Sequence, residues 1–219
     1  MLSIRNYDVF IFDCDGVILD SNELKIEAMK NALLKYIPSP KTIELCLDYF
    51  RNNFGKSRFH HVAYFLDEIV FAESESRGRL EKLILSDFSK QCRNLYHSAE
   101  ITPGFLEFLQ NCQGKRYIAS GSEQNELREV FIKRGLSNSF HGIYGSPVSK
   151  VENIKDILQM ENTHNAVVFG DAISDLFAAK INKCHFVAYV PYSNVPVQLE
   201  KETLRSGYDL IHAWSDIKC

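Results

Sequence analysis

Apolar residues are distributed in two different ways along this chain of 219 residues. The short run Asp8–Phe12 is apolar and β-rich after its first residue, which is typical of a strand buried on both faces of a parallel sheet. From residue 22 to about 97, apolar residues recur instead at the i, i+3 and i+4 spacing of amphipathic helices. This region predicts helices at about 22–36, 41–53, 58–72 and 76–97 and no strand.

After Pro103-Gly104 the pattern becomes an alternation of strands and helices. The predicted strands are Arg116–Ala119, Gly142–Tyr144, Ala166–Phe169, Phe186–Val190 and Tyr208–Ile211. The predicted helices lie at about 104–112, 123–134, 150–160 and 174–181. Such alternation predicts an α/β fold with a doubly wound parallel sheet. We therefore expect an α/β core over residues 1–17 and 99–219, interrupted by a helical domain over residues 18–98.

Composition and charge argue against several classes of protein. The chain is 45% hydrophobic and 24% charged, as in an ordinary globular domain. No apolar run is long enough to span a membrane, and the first residues lack the pattern of a signal peptide. The formal net charge is −3 and no basic stripe is present, so we expect no nucleic-acid partner.

The cysteines give a prediction about the cellular compartment. Six of them lie at wide, irregular spacings without any C-x-x-C pair: Cys14, Cys46, Cys92, Cys112, Cys184 and Cys219. This spacing is typical neither of a disulfide framework nor of a zinc site. We interpret them as structural thiols in a reducing, cytoplasmic protein.

Residues with catalytic potential follow the predicted strands. Asp13 and Asp15 follow the first strand, and Ser120-Gly121-Ser122 follows the second. Lys150 lies where a later helix begins, while Asp171 follows another strand and Asp175 comes one helical turn later. Because ligands bind at the carboxyl ends of strands in an open α/β sheet, we expect these side chains to converge there.

This combination of groups is suited to phosphoryl transfer. A carboxylate and a phosphate dianion repel each other unless a cation such as Mg²⁺ neutralises both, and oxygen-rich sites suit Mg²⁺. One carboxylate can then attack phosphorus, while a second carboxyl group protonates the leaving oxygen and later deprotonates water. A hydroxyl, backbone amides and a lysine can stabilise the transferring oxygens.

The ordered set Asp13-x-Asp15-Gly16-Val17, Ser120, Lys150 and Gly170-Asp171-x-x-x-Asp175 resembles the haloacid dehalogenase (HAD) superfamily. The resemblance covers the whole predicted core and implies a Rossmann-like fold. The helical insert looks like this family's cap of the first type, which closes over the active site and selects the substrate.

The resemblance also implies a role for each matching residue. Asp13 would be the nucleophile and Asp15 the general acid and base. Ser120, the Gly121 amide and Lys150 would bind the transferring phosphoryl group. Mg²⁺ would be held by Asp13, by the Asp15 backbone carbonyl, by Asp171 and, through water or the second sphere, by Asp175.

Several of these assignments have alternatives from local sequence. Ser122 could replace Ser120 as the phosphate-binding hydroxyl, and Ser120 could simply cap the next helix, with Glu123 completing a capping box. Lys155 is the alternative to Lys150. Asp175 could be an acidic residue that stabilises a helix start.

Within this family, Asp15 favours a phosphate ester over a halide or a phosphonate as the substrate, because dehalogenase and phosphonate-cleaving relatives lack an acid at that position. The leading interpretation is therefore a phosphatase similar to phosphoglycolate phosphatases, acting on a sugar, polyol or glycolate phosphate. A phosphosugar mutase is the alternative, although Lys25 lies where such mutases have a histidine. A non-catalytic relative is a further alternative, but none of the catalytic acids is missing.

The cap offers fewer signals. Gly55-Lys56-Ser57-Arg58 is similar to a cap loop of relatives that act on sugar phosphates, so Arg58 and Lys56 are candidate substrate contacts. His60 and His61 are interpreted as surface or packing residues. Residues 20–22 are interpreted as a hinge whose side chains cap the next helix, with contact to the active site as the alternative. We expect a small phosphorylated metabolite as the partner, no membrane, and a monomer or weak homodimer.

Overall fold

A six-stranded, fully parallel sheet forms the centre of the molecule, in a computed structural model that describes residues 2–3 and 7–218. The strands are β1 (Leu2–Ser3), β2 (Val9–Phe12), β3 (Leu19–Asp20), β4 (Glu100–Ile101), β5 (Lys115–Glu123), β6 (Gly142–Ser146), β7 (Ala166–Gly170), β8 (His185–Tyr189), β9 (Asp209–Ile211) and β10 (Ile217–Lys218). The central sheet has the order β6-β5-β2-β7-β8-β9, which confirms the predicted α/β fold. β1 and β10 pair separately.

Nine α-helices are present in the described part of the chain. They are α1 (Asn22–Leu34), α2 (Pro40–Asn52), α3 (Arg58–Tyr64), α4 (Ser74–Ser98), α5 (Phe105–Asn111), α6 (Gln124–Lys133), α7 (Lys150–Glu161), α8 (Ile173–Ile181) and α9 (Pro196–Arg205). A π-helical segment, Phe65–Ile69, extends α3. The sequence pattern did not predict α9, because most of that helix is polar and only Leu199 and Thr203 are buried.

The central strand β2 is apolar along its length because both faces of the sheet are covered by apolar residues. Val9 and Ile11 point to one face of the sheet, where they pack with α7 and α8 residues such as Ile157. Phe10 and Phe12 point to the opposite face, which contains Phe169 and Trp214. Successive side chains of a strand alternate between faces, so both faces of β2 are covered by apolar residues.

The four helices α1–α4 lie between two short strands that pair with each other. β3 and β4 form an antiparallel ribbon in which Leu19 lies opposite Ile101, so the chain leaves and re-enters the core at one place. Within the insert, α1 packs on both α2 and α4. The predicted domain boundaries fall next to this ribbon, and the division into a cap and a core stays a prediction.

No helix in the described residues is both long and apolar enough to cross a membrane. The five described cysteines are buried, as structural thiols are expected to be. Cys219 and, of the N-terminal residues considered for a signal peptide, residues 1 and 4–6 lie outside the described residues.

Candidate active site

The strand register brings the predicted residues to one edge of the sheet. Phe12 lies opposite Ile118 of β5 and opposite Phe169 of β7, with all three strands running in the same direction. Asp13 therefore leaves the sheet level with Ala119 of β5 and Gly170 of β7, one residue before Ser120 and Asp171. The backbone amide of Asp13 donates to the Phe169 carbonyl at 2.9 Å, which fixes the start of the loop.

Three buried carboxyl groups form a cluster at this edge. One oxygen from each of Asp13, Asp171 and Asp175 lies within 4.8 Å of the other two. The side chains of all three are at least 95% buried. The Oδ1 atom of Asp171 has no hydrogen-bond partner in the described residues, which is costly for a buried acceptor.

Lys150 is the ammonium group of this cluster. It is the first residue of α7, and Ser149 caps that helix by accepting a hydrogen bond from the Glu152 amide. Its Nζ lies 3.0 Å from Asp13 Oδ1 and also donates to Asp175 Oδ1. Lys155 is exposed on the same helix, so the alternative that placed Lys155 in the site is wrong.

The cluster carries more negative than positive charge. Burial raises the pKa of Asp13 to about 7, although Lys150 opposes the shift, and the carboxylates of Asp175 and Asp15 add to it. Burial, followed by repulsion from Asp13 and Asp175, raises the pKa of Asp171 well above its usual range. Three carboxylates face one ammonium, which leaves an excess of two negative charges if all are ionised. A divalent cation bound by oxygen would neutralise that excess.

Asp15 lies two residues from Asp13 in a different environment. Its carboxylate accepts hydrogen bonds from Ser21 Oγ at 2.6 Å, Lys25 Nζ at 2.8 Å and Ser122 Oγ at 2.8 Å. The Tyr96 hydroxyl donates as well, at 3.0 Å to Oδ1. Burial alone would raise the pKa of Asp15, but the Lys25 charge and these hydrogen bonds outweigh it and lower the pKa.

The two serines of β5 have separate roles. Ser120 is buried, and its Oγ accepts a hydrogen bond from the Ser122 amide at 3.2 Å. Glu123 caps α6 by accepting from the amides of Asn125 and Glu126, so the interpretation of Ser120 as the cap is wrong. Ser122 is occupied by Asp15, which leaves Ser120 as the better candidate for a phosphate ligand.

Gly16 allows the acidic residues to come together. Its φ of +73° lies in the left-handed region that favours glycine. A Cβ atom at this position would lie 2.7 Å from Asp171 Cγ. The glycine in the Asp-x-Asp-Gly motif is therefore required both by the turn and by the close approach of Asp171.

A cavity of about 590 Å³ lies between the insert and the core. Lys150, Gly121 and Asp171 line it on the core side, and Lys56 and His60 line it on the opposite side. The loop 53–56 packs closely against the core, because a Cβ atom on Gly121 would lie 2.8 Å from the Gly55 carbonyl carbon. Ser174 Oγ also donates to the Phe54 carbonyl at 2.9 Å.

The structure corrects the prediction for Arg58. Its guanidinium makes a two-pronged ion pair with Glu126 of α6, at 3.0 and 2.7 Å, and a third hydrogen bond to Ser89 Oγ. Arg58 does not line the cavity between insert and core. It links α3 to the core, whereas Lys56 stays a candidate substrate contact.

The hinge residues Ser21 and Asn22 contact the site rather than capping α1. Ser21 makes no side-chain capping bond and donates to Asp15 instead. Asn22 Nδ2 donates to Asp171 Oδ2 at 2.6 Å and to the Tyr192 carbonyl at 2.7 Å. The interpretation of these two side chains as helix caps is therefore wrong. His61 is buried against Phe50, in agreement with a packing role.

Sequence reasoning missed Tyr96 entirely. Tyr96 belongs to the apolar stripe of α4, and its ring is fully buried, so the pattern gives no sign that its hydroxyl reaches Asp15. The sequence marks Lys25 only as the residue at the position where the mutases have a histidine. Its contact with Asp15 depends on the fold.

Comparison with known proteins agrees with this arrangement. Residues 7–181 match the family of haloacid dehalogenase-like hydrolases, which is most of the chain. No functionally curated protein shows significant similarity to the sequence.

Solved structures share the fold at low sequence identity. A predicted phosphoglycolate phosphatase from Haemophilus somnus has a TM-score of 0.75 at 14% identity, covering 96% of each chain. A predicted phosphatase from Clostridium acetobutylicum has a TM-score of 0.73 at 16% identity, covering 96% of this chain and 95% of that one. A haloacid dehalogenase-like family hydrolase from Streptococcus pneumoniae has a TM-score of 0.72 at 18% identity, covering 96% of each chain.

Proposed function

Because the chain belongs to the haloacid dehalogenase-like hydrolases, we propose that it is a Mg²⁺-dependent phosphatase of small phosphomonoesters that uses Asp13 as its nucleophile. One observation carries this proposal: Asp13 Oδ1 lies 3.0 Å from Lys150 Nζ, and a carboxylate oxygen of Asp13 lies within 4.8 Å of the buried Asp171 and Asp175. The names of the solved relatives, which include phosphatases and phosphoglycolate phosphatases, support a phosphoric monoester hydrolase.

The first step forms a covalent intermediate on Asp13. A carboxylate oxygen of Asp13 forms a bond to phosphorus while the bond from phosphorus to the ester oxygen breaks. Asp15 gives its proton to that leaving oxygen, which departs as an alcohol. Lys150, the Gly121 amide and Ser120 would hold the three phosphoryl oxygens during the transfer.

The second step releases phosphate. Asp15 accepts a proton from a water molecule, and the water oxygen bonds to phosphorus. The bond between phosphorus and Asp13 breaks, and the Asp13 carboxylate is regenerated. The lowered pKa of Asp15 suits this second step, because an ionised carboxylate is the form that accepts a proton. The first step requires that Asp15 has taken up a proton before the ester bond breaks.

The residues present fit a bound Mg²⁺ ion. Asp171 Oδ1 is a buried acceptor without a hydrogen-bond partner in the described residues, and three carboxyl groups face a single ammonium. Asp13, Asp171 and the Asp15 carbonyl would hold the ion. Both oxygens of Asp175 are engaged, by Lys150 and by the Ala172 amide, which favours an indirect role for this residue. Bound Mg²⁺ would neutralise charge on the phosphoryl group.

The cavity suggests the type of leaving group. Its walls away from the acidic cluster combine neutral amides, such as Asn53 and Asn194, with Phe54 and Phe177. Lys56 adds one positive charge. These groups suit a small sugar, polyol or glycolate phosphate. The cytoplasmic location and the monomeric or weakly dimeric state stay predictions.

The first test measures phosphate release from a panel of phosphorylated metabolites and 4-nitrophenyl phosphate, with and without Mg²⁺. We expect Asp13→Asn to lose turnover by at least about a thousandfold, since the nucleophile is removed. Asp156→Asn, an exposed aspartate on α7, is the matched control and keeps wild-type activity. Unchanged turnover in Asp13→Asn would contradict the proposal. Isomer formation faster than phosphate release, with a hexose 1-phosphate and a bisphosphate, would favour the mutase alternative.

A further inference from the structure

Lys25 extends from α1 of the insert to the carboxylate of Asp15. Its Nζ lies 2.8 Å from Asp15 Oδ2 and donates at 2.8 Å to Ser122 Oγ. Both members of the ion pair are buried, with side-chain exposures of 11% and 4%. Among the described residues, Lys25 is the charged group that forms an ion pair with Asp15.

The surroundings of Lys25 confine its ammonium group. The Nζ atom lies 5.5 Å from the centre of the Phe54 ring and 5.9 Å from that of Tyr96, within the range of a cation–π contact. Phe54 belongs to the loop that lines the cavity. The ammonium is thus held by residues of the insert while it donates to two residues of the core.

From this geometry we propose that Lys25 is a positioning residue, which holds the Asp15 carboxyl group in the orientation needed for proton transfer to the leaving oxygen. The inference rests on the proposed phosphatase function. Lys25 does not line the cavity and therefore acts through Asp15 rather than on the substrate. Three of the four side chains that donate to Asp15, namely those of Ser21, Lys25 and Tyr96, lie at or beyond the ribbon that leads into the insert.

Ser21, Tyr96 and Ser122 cannot replace the ammonium. Each is a neutral hydroxyl, and Tyr96 and Ser122 also bond to each other at 2.7 Å. Hydrogen bonds from a charged donor are roughly twice as strong as those between neutral groups. Without Lys25, the Asp15 carboxyl group would keep its neutral hydrogen-bond donors but lose its only charged donor among the described residues. The direction of Oδ2 would then no longer be fixed.

This role predicts an effect that depends on the leaving group. An alkoxide needs a proton in order to leave, whereas 4-nitrophenolate is stable as an anion. A displaced Asp15 therefore slows transfer of the phosphoryl group from an alkyl phosphate to Asp13 and leaves transfer from 4-nitrophenyl phosphate nearly intact. The later attack of water is common to both esters and does not enter kcat/KM. A residue with a merely structural role would change both rates by the same factor.

The test compares kcat/KM for 4-nitrophenyl phosphate with kcat/KM for the best alkyl phosphate among glycerol, glycolate and hexose phosphates. Removing general acid catalysis costs about 10²- to 10⁴-fold. We expect Lys25→Met to lower the alkyl rate by about tenfold or more and the aryl rate by less than about threefold. Lys25→Arg, which keeps the charge, restores part of the alkyl rate. Lys30→Met, on another face of α1, is the matched control and keeps the wild-type ratio.

Two further comparisons keep the inference falsifiable. In an Asp15→Asn background, adding Lys25→Met causes no additional loss of the alkyl rate, since Lys25 acts through Asp15. If Lys25→Met does not fold, Lys25→Gln, which keeps a neutral donor, takes its place. Equal losses for both substrates, or a full additional loss in the Asp15→Asn background, would overturn the role of Lys25. A wild-type protein that hydrolyses neither ester would instead overturn the proposed function, together with this inference.

Discussion

Asp13 and Asp15 are separated by one residue, yet their carboxyl groups have different partners. Asp13 lies with two other carboxylates and one ammonium, and its pKa is raised to about 7, mainly by burial. Asp15 lies among four donors, and Lys25 and the hydroxyls lower its pKa. The roles proposed for the two carboxyl groups therefore rest on their positions and partners, since the directions of their pKa shifts alone would favour Asp13 as the proton donor.

The raised pKa of Asp13 predicts that Mg²⁺ binding depends on pH. Protons compete with the ion wherever the carboxyl group is protonated, so binding strengthens as pH rises through about 7 and then levels off. One proton displaced from a group of this pKa corresponds to about tenfold tighter binding at pH 8 than at pH 6. Asp171, whose pKa is also raised, acts in the same direction.

Isothermal titration calorimetry of the wild type at the two pH values measures this difference. Asp171→Asn, which removes one of the proposed carboxylate ligands, weakens binding at both pH values, whereas Asp156→Asn behaves like the wild type. Equal affinity at pH 6 and pH 8, or unchanged affinity in Asp171→Asn, would argue against the proposed site.

At the level of elements, the buried pair of Arg58 and Glu126 joins α3 to α6. The exposed fraction is 5% for the Arg58 side chain and 4% for that of Glu126. The other cation near Glu126 is Arg93, whose Nε lies 4.0 Å from Glu126 Oε1 and whose side chain is 60% exposed. The pair therefore links α3 of the insert to α6 of the core, in an arrangement in which the backbones of Gly55 and Gly121 also pack together.

Breaking this pair leaves a buried charge without its partner. We expect Arg58→Met to lower the free energy of unfolding by about 3–5 kcal/mol, measured by urea unfolding. The double variant Arg58→Met with Glu126→Met recovers most of that loss, because two apolar side chains of similar size then pack together. If Arg58 instead contacts the substrate, Arg58→Met would raise KM while leaving the urea midpoint unchanged.

The pattern of apolar residues predicted those helices and strands well in which several periodic apolar residues are buried. The strand predicted at Ala166–Phe169 is β7, and the helix predicted at about 76–97 is α4. The helix α9 was missed because it is short and mostly polar and buries only Leu199 and Thr203. Local patterns therefore locate those elements whose burial is extensive.

The site could be predicted only in part. Asp13, Asp171 and Lys150 were found from their places at strand and helix ends, because parallel strands share one carboxyl edge. The ion pair of Arg58 was not predicted, because its partner Glu126 lies 68 residues away in the sequence. In the sequence, Tyr96 cannot be distinguished from the other apolar residues on the buried face of α4, so the role of its hydroxyl was not predicted. Long-range contacts of this kind depend on side-chain directions that one sequence does not contain.

At the level of the whole molecule, the insert and the core complete one site together. The core supplies the acidic cluster and Lys150, while the insert and its hinge supply Ser21, Lys25 and Tyr96 around Asp15. The cavity between the two parts would shield a phosphoryl group bound there from water, and this would strengthen the electrostatic contacts with it. The net charge of −3 is concentrated in part at this site, where a bound cation would reduce it.

The central claim is that phosphate is transferred to Asp13, and trapping that intermediate tests it most directly. The wild type is mixed with its best phosphomonoester and Mg²⁺, quenched during turnover and reduced with borohydride, which converts an aspartyl phosphate into homoserine. Mass spectrometry of the peptide that contains Asp13 then locates the change. We predict homoserine at position 13 only when substrate is present, and none in Asp13→Asn. Phosphate release by the wild type without homoserine at position 13, or with homoserine at another aspartate, would contradict the account.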